Sequence, residues 1–264
     1  MNFAYNTITF AVDRAVARLT LNRPDKLNSF NTQMHDEVRA ALAEMPRSGA
    51  RVLVLTGAGR GFCAGQDLSD RAVAPGGTAP DLGRSIDLYY KPLVLALHSL
   101  PVPVIAAVNG VAAGAGANIA LACDVVIAAR SANFVQAFCK LGLVPDSGGT
   151  WALPRLVGTA RALGLSLLGN KLSAEQAESW GMIWQCVDDA DLTRTTDAMA
   201  EALAAAPTRG LAATKSAIRG SWQRSLAEQL DIERDAQREL GASTDYAEGV
   251  AAFGAKRTPH FTGT

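Results

Sequence analysis

Little in this sequence lends itself to metal, redox or nucleic-acid chemistry. Its 264 residues include only three histidines, and His35, His98 and His260 are too scattered to suggest a metal site. Four cysteines, Cys63, Cys123, Cys139 and Cys186, lie far apart in apolar contexts without a CxxC pair. That pattern is expected of reduced, mostly buried thiols in a cytoplasmic protein. There is no excess of either charge: 25 basic side chains face 25 acidic ones. Without surplus Lys and Arg to neutralise phosphates, neither a nucleic acid nor an anionic membrane is an expected partner. The start, MNFAYNTITF, lacks the basic and apolar regions of a secretory leader. No GxxxxGK[ST] or GxSxG occurs, and GAGRGF places Phe62 where a dinucleotide fingerprint needs its third glycine. NTP, nicotinamide and flavin binding and serine hydrolysis are thereby set aside.

Apolar residues make up 48% of the chain and charged ones 19%, which excludes disorder. One stretch, Pro92 to Cys123, has no Asp, Glu, Lys or Arg. It is long enough for a bilayer, but Pro101, Pro103, Asn109, Gly110, Gly114, Gly116 and Asn118 divide it. The pieces read as a helix end, a strand over Val102–Val108, a glycine-rich turn and a small-residue helix over Gly114–Ala122. A strand over Val125–Ala129 follows. Such a buried strand–helix–strand order predicts an α/β crossover core. Upstream, Thr7–Val12 and Ala15–Leu21 alternate about an Asp13–Arg14 turn and predict a hairpin. Asn31 is placed to cap a helix to about Glu44, and Arg51–Gly57 is a buried strand. The loop 71–83 is rich in Gly and Pro and long enough to cover an active site. A helix from Ile86 ends near Ser99. From Ala190 to Ala255 helix formers dominate, with breaks at Pro207 and near Gly241. The chain divides into a core over residues 1–190 and a helical region over 191–264 suited to packing on another subunit.

Two turns flanked by small residues, FCAGQDL and NGVAAGAGAN, each follow a buried strand. Small residues let a ligand reach the main chain, and the second turn opens a helix whose first N–H groups are unpaired. Two such N–H groups converging on one oxygen form an oxyanion hole; tight strand–helix packing is the plainer alternative. Among the carboxylates, Asp67 and Asp124 fit turn and capping roles. Asp146 differs, since LVPDSGG surrounds it with apolar and glycine neighbours and no cation. A carboxylate there is expected to titrate high and to suit proton transfer, with a helix N-cap as the alternative.

Taken together, LTLNRPDKLNSFN, VLVLTGAGRGFCAGQDL, PVIAAVNGVAAGAGANIALACDVVIAA, LGLVPDSGGTWALPRLVG, GNKLSAEQAESWGMIWQCV and FGAKRTPHFTG resemble the crotonase (enoyl-CoA hydratase/isomerase) superfamily over essentially the whole length. The resemblance implies an α/β, crotonase-like spiral of ββα units with a C-terminal helical trimerisation region. It implies a homotrimer or dimer of trimers acting on an acyl-CoA, with CoA as part of the substrate and no separate cofactor or metal. By the family's pattern the oxyanion donors are the N–H groups of Gln66 and Ala115. Lys26, Ala64 and Asp67 fall near the CoA adenine and phosphates, and Lys256 and Arg257 resemble residues reaching CoA from an adjacent subunit.

The departures bear on the reaction. Family hydratases use two glutamates, and the corresponding positions here are Asn118 and Phe138, neither of which moves protons. Asp146 falls where family isomerases carry an aspartate, so a one-base isomerase is expected. APDLGRSIDLYY and KLGLVPDSGGTW are similar to stretches of family isomerases that act on ring-epoxidised phenylacetyl-CoA. Phe138, Phe134, Trp151 and Tyr89 are candidates for a ring-sized apolar wall. The rival readings are a general enoyl-CoA isomerase or hydratase and a non-catalytic CoA- or RNA-binding member of the fold.

Overall fold

The computed structural model describes residues 2–71 and 81–264. Most of the predicted 71–83 loop therefore lies outside the described residues. β1 (Asn2–Phe3) pairs with β2 (Ile8–Asp13), which forms a hairpin with β3 (Val16–Leu21). The turn is Arg14–Ala15, one residue later than expected, and both residues have positive φ (45° and 63°), as a two-residue hairpin turn requires. Next comes α1 (Thr32–Glu44), whose first turn is closed by the Asn31 side chain accepting the Met34 N–H at 2.9 Å.

The rest of the core repeats one theme. β4 (Val52–Gly57) and β5 (Gly61–Cys63) lead into α2 (Leu82–Ser85), a π-helical turn over Ile86–Tyr90 and α3 (Lys91–Ser99). β6 (Val104–Val108) and β7 (Val111–Ala113) lead into α4 (Ala115–Ala122). β8 (Val125–Ala129) and β9 (Asn133–Val135) lead into α5 (Gly149–Leu168), kinked at Gly158. β10 (Lys171–Ser173), α6 (Ala174–Ser179) and β11 (Gln185–Val187) close the series. The first strands of these units join the hairpin in a seven-stranded sheet ordered β1-β2-β3-β4-β6-β8-β11, parallel from β3 onward. The second strands form a smaller sheet ordered β10-β9-β7-β5. The parallel pairing of β4 with β6 thus brings the exits of these two strands side by side. Crevices at the carboxyl ends of parallel strands are where ligands bind in open α/β sheets.

Four further helices follow: α7 (Leu192–Ala205), α8 (Thr208–Gly220), α9 (Leu226–Leu240) and α10 (Thr244–Ala255). α7 lies on the large sheet against β3, β4, β6 and β8, so the first of these helices is part of the core. A break over residues 221–225, unforeseen from composition, is set by a capping box between Ser225 and Glu228. α8 is fastened by Asp124, whose carboxylate meets Lys215 Nζ at 2.8 Å and Arg219 Nη2 at 2.7 Å and accepts the Val104 N–H at 2.7 Å. Asp245, buried, accepts the N–H groups of Thr262 (2.7 Å) and Gly263 (2.9 Å) and holds the C-terminal tail. On the outer helices Leu226, Leu230, Val250 and Phe253 are exposed, Phe253 to 88%, as is Trp222 in the break between α8 and α9. No helix among the described residues is long and apolar enough to cross a membrane.

Candidate active site

The segment after β5 lies between two others. On one side Ala64 N–H bonds to the Leu27 carbonyl (2.9 Å), Phe30 N–H to that of Gly65 (2.7 Å) and Asp67 N–H to that of Phe30 (2.8 Å). This is a parallel bridge of Phe30 with Gln66. In such a bridge the flanking residues make the bonds, so the peptide N–H of Gln66 itself points to the opposite side. There β5 pairs with β7, whose continuation is the start of α4. The loop 23–30 is fixed by Asn28, fully buried, whose amide donates to Ala58 O (2.9 Å) and Gly61 O (2.8 Å) and whose Oδ1 accepts from Arg23 N (2.9 Å).

The two glycine turns touch backbone to backbone. A Cβ on Gly65, where φ is +90°, would lie 2.9 Å from Ala113 O and 3.2 Å from Ala115 N. One on Gly116 would lie 2.2 Å from Cys63 O. No side chain fits at either position, which is why glycine stands there. Ala115 is the first residue of α4, so its N–H has no acceptor one turn back, and the helix dipole adds positive potential at that end. The donors of Gln66 and Ala115 are thus brought to adjoining turns.

Asp146 joins the same place through α4. Asn118 follows Ala115 by three residues and shares its helix face. Its Nδ2 donates to Asp146 O at 2.7 Å, and its Oδ1 accepts from buried Gln136 Nε2 at 2.8 Å. Gly149 N–H also donates to Asp146 O (2.9 Å), and a Cβ on Gly149 would lie 2.4 Å from Asn118 Nδ2. Ser147 and Gly148 turn the chain with positive φ (51° and 83°) into α5. Ser147 Oγ donates to Asp146 Oδ1 at 2.8 Å and fixes the partly buried carboxylate. Asp146 is therefore a member of a built loop, and α5 takes Gly148 as its N-cap instead.

Phe138 is buried and its ring edge stands 3.7 Å from where a Cβ of Gly114 would be, beside the first turn of α4. Behind the Asp146 loop opens a mostly apolar cavity of about 520 Å³, with Asn118, Ser147, Gly148, Val94, His98 and Trp151 among its walls. Of the other aromatic candidates, Phe134 belongs to the core and Tyr89 stacks on His35 at 5.1 Å, away from this cavity.

The remaining predicted residues divide. Lys26 is exposed, and Ala64, half-buried, bonds through its N–H to the carbonyl of Leu27, the residue after Lys26. Asp67 is buried: Arg23 Nη2 meets Oδ2 at 2.8 Å, and Ser69 donates its hydroxyl (2.6 Å) and N–H (3.0 Å) to Oδ1. Burial pushes its carboxyl up, and the Ser69 and Arg23 contacts outweigh this and hold it below the usual range. The Asp67 side chain is thus engaged within the turn, by Arg23 and Ser69. Lys256 caps α10, and the tail beyond it docks at the start of β4 through Arg51 and Phe261 O (2.9 Å). That is the opposite end of β4 from the glycine turns. Burial pushes the Cys63 thiol up to about 12, which leaves no thiolate nucleophile beneath the turn. Among the described residues no three His, Cys, Asp or Glu side chains converge as a metal site would require.

Residues missed in the sequence are Asn28, Gln136 and Tyr90, whose hydroxyl donates to Gln66 Oε1 at 2.9 Å. Each acts across 18 residues or more of chain, which no local pattern reveals.

The enoyl-CoA hydratase/isomerase family pattern matches residues 11–264. The 1,2-epoxyphenylacetyl-CoA isomerase of Escherichia coli K12 is 61% identical over 96% of this chain and 97% of its own length. A probable enoyl-CoA hydratase of Rhodobacter capsulatus is 49% identical over 98% and 99%. The crystal structure of an enoyl-CoA hydratase from Bacillus anthracis superposes with a TM-score of 0.92 at 33% identity, over 98% of this chain and all of that one. The same α/β spiral, the paired glycine turns and this likeness over nearly the whole length agree: the chain belongs to the enoyl-CoA hydratase/isomerase family.

Proposed function

We propose that the protein is an acyl-CoA isomerase that converts ring-1,2-epoxyphenylacetyl-CoA to oxepin-CoA and shifts the double bond of a 3-enoyl-CoA to the 2-position. The observation that carries this reading is the inventory of acids around α4. The Asp146 backbone is tied to Asn118, one turn along α4 from Ala115, and by the family resemblance Asn118 and Phe138 occupy the positions at which hydratases carry their glutamates. Asn118 is moreover committed as a donor to the Asp146 backbone, so it does not position a water as a base. The relative that is 61% identical bears the name of this isomerase, which supports the choice of substrate.

In the mechanism the thioester oxygen lies between the N–H groups of Gln66 and Ala115. Asp146 removes a proton from the carbon next to the thioester, and the electron pair moves onto that oxygen as an enolate. Each donor lowers the barrier by roughly 3–4 kcal/mol, or about 10²–10³ in rate, because it is aimed before the charge develops. The protonated Asp146 returns the proton at the distal carbon and the double bond enters conjugation. With the epoxide, the same proton leaves the α carbon and returns to the ring as it opens to the seven-membered oxepin, so composition is unchanged. The apolar cavity lined by Asn118, Ser147 and Trp151, next to Asp146 in the chain, is read as the place of the ring or acyl tail, and Phe138 lies beside the first turn of α4. No cofactor beyond the CoA of the substrate enters these steps.

The assembly is read as a homotrimer or dimer of trimers, supported by the exposed apolar side chains of α9 and α10. Lys26 then meets the CoA phosphates, and Lys256 does so from a neighbouring subunit. The test is Asp146→Asn with a 3-enoyl-CoA. Turnover is expected to fall by about 10²–10⁴ with CoA-ester binding retained. Unchanged turnover, or hydration of a 2-enoyl-CoA as the only activity, refutes the reading.

A further inference from the structure

We infer that Tyr90 is a positioning residue for the oxyanion hole, acting through the side chain of Gln66. The inference rests on the reading of the Gln66 N–H as an oxyanion donor. Tyr90 is fully buried, and its hydroxyl donates to Gln66 Oε1 at 2.9 Å. The amide end of the same side chain donates to the Asp67 carbonyl at 3.2 Å. Gln66 is therefore gripped at three points: by Phe30 through the peptides on either side of it, by its own amide against Asp67, and by Tyr90. The Phe30 N–H to Gly65 O bond (2.7 Å) holds the oxygen end of the planar peptide that carries the Gln66 N–H, and the grip on the Gln66 side chain limits tilting of that peptide at its other end. That limit is what a hydroxyl at fixed height supplies.

The height is fixed by aromatic packing. The His35 ring meets Tyr90 edge-on with centroids 4.5 Å apart, and Phe30 lies 6.3 Å away. Phe30 also contacts His35 at 4.6 Å. The residue that clamps Gln66 by its backbone thus clamps Tyr90 by its ring, and the two restraints share one body. Tyr90 closes the π-helical turn Ile86–Tyr90. A π turn inserts one residue into the helix and re-aims the side chains around it, and such turns cluster at functional sites. Here it directs Tyr90 inward to Gln66 while its neighbour Tyr89 packs on the outer face of His35.

The experiment combines Tyr90→Phe, Gln66→Ala and the double variant with two readouts. One is turnover of a 3-enoyl-CoA; the other is the infrared carbonyl band of bound phenylacetyl-CoA carrying carbon-13 at the thioester carbonyl. In the wild-type protein the band is expected below its position in water, because two donors polarise the carbonyl. Tyr90→Phe is expected to lose much of that displacement and about tenfold in kcat, with KM changed less than twofold, since a donor is misaimed and not removed. Gln66→Ala deletes the acceptor, so adding Tyr90→Phe to it is expected to cost nothing further, where independent sites would multiply. A band unmoved by Tyr90→Phe, or multiplying losses, reduces Tyr90 to a packing residue and overturns the inference even if thermal stability falls. An undisplaced band in the wild-type protein removes the oxyanion reading itself, and the inference with it.

Discussion

Replacing Gly65 by alanine tests whether the two glycine turns form one device. The added methyl would sit 2.9 Å from Ala113 O and 3.2 Å from Ala115 N, at φ +90°. Comfortable contacts begin at about 3.5 Å, so the turns must part by roughly half an ångström. A misplacement of about 1 Å costs a reaction on the order of 10²-fold, so half of that predicts roughly a tenfold loss of kcat. Holding an alanine at positive φ costs a further ~1–2 kcal/mol of stability, or a fall in melting temperature of about 2–8 °C in a chain of this size. Gly49 supplies the control, since it has φ +73° and nothing within 4 Å of its added Cβ. It precedes β4, at the end remote from the site. Gly49→Ala is expected to show the same kind of strain in the melting curve with full activity. The assay is conjugation of a 3-enoyl-CoA at saturating substrate, beside thermal melts of both variants. If Gly65→Ala keeps kcat within twofold of Gly49→Ala, the close approach of the turns does not set the donors, and the mechanism is refuted at that step.

Two further outcomes follow from single contacts. Asn118→Ala leaves Asp146 O and Gln136 Nε2 each short of a bond; a loss of about 1–3 kcal/mol in a urea titration is expected, with kcat falling because the Asp146 loop slackens. Asn118→Glu, which restores a hydratase-like acid, is expected to add no hydration of a 2-enoyl-CoA, because a carboxylate faces the Asp146 carbonyl it must replace as donor. His98 lies beside Trp151 in the cavity, and burial first, then Arg219 and Lys215, hold its pKa below the usual imidazole value against the opposing pull of Asp124. The unfolded chain then binds that proton more readily, so stability falls as pH drops through about 6.5 and levels off below the native pKa. Stability measured against pH should lose this slope in His98→Gln; an identical slope in both proteins assigns the effect elsewhere.

Local chemistry accounts for most of what could be read in advance. The Asn31 cap, the buried runs of β4, β6 and β8, and the small-residue helix α4 are written in short windows of sequence, because capping, alternation and helix-facing size act over a few residues. The glycines of both turns were visible for the same reason, and the motifs around them carried the family and the aspartate. The capping box at Ser225 and Glu228 was equally local and was overlooked under a uniformly helical composition.

Contacts between distant segments account for the remainder. Asp67 stands in a motif that suggests ligand binding, yet its charge is neutralised by Arg23, 44 residues earlier. Asp124 reads as a strand-edge cap, and only folding reveals that it pins Lys215 and Arg219 of α8. The division of the chain at residue 190 follows composition, whereas α7 joins the sheet because its buried face, Leu192, Thr196, Ala200 and Ala204, needs a surface to cover. The residue types and turns of the proposed oxyanion site were determined by sequence, since main-chain donors need only glycine and a helix start. Which side chains aim those donors and hold Asp146 was decided by tertiary structure, because hydrogen bonds at 2.7–2.9 Å between Asn118 and Asp146 or Tyr90 and Gln66 exist only once the ββα spiral has brought their backbones together.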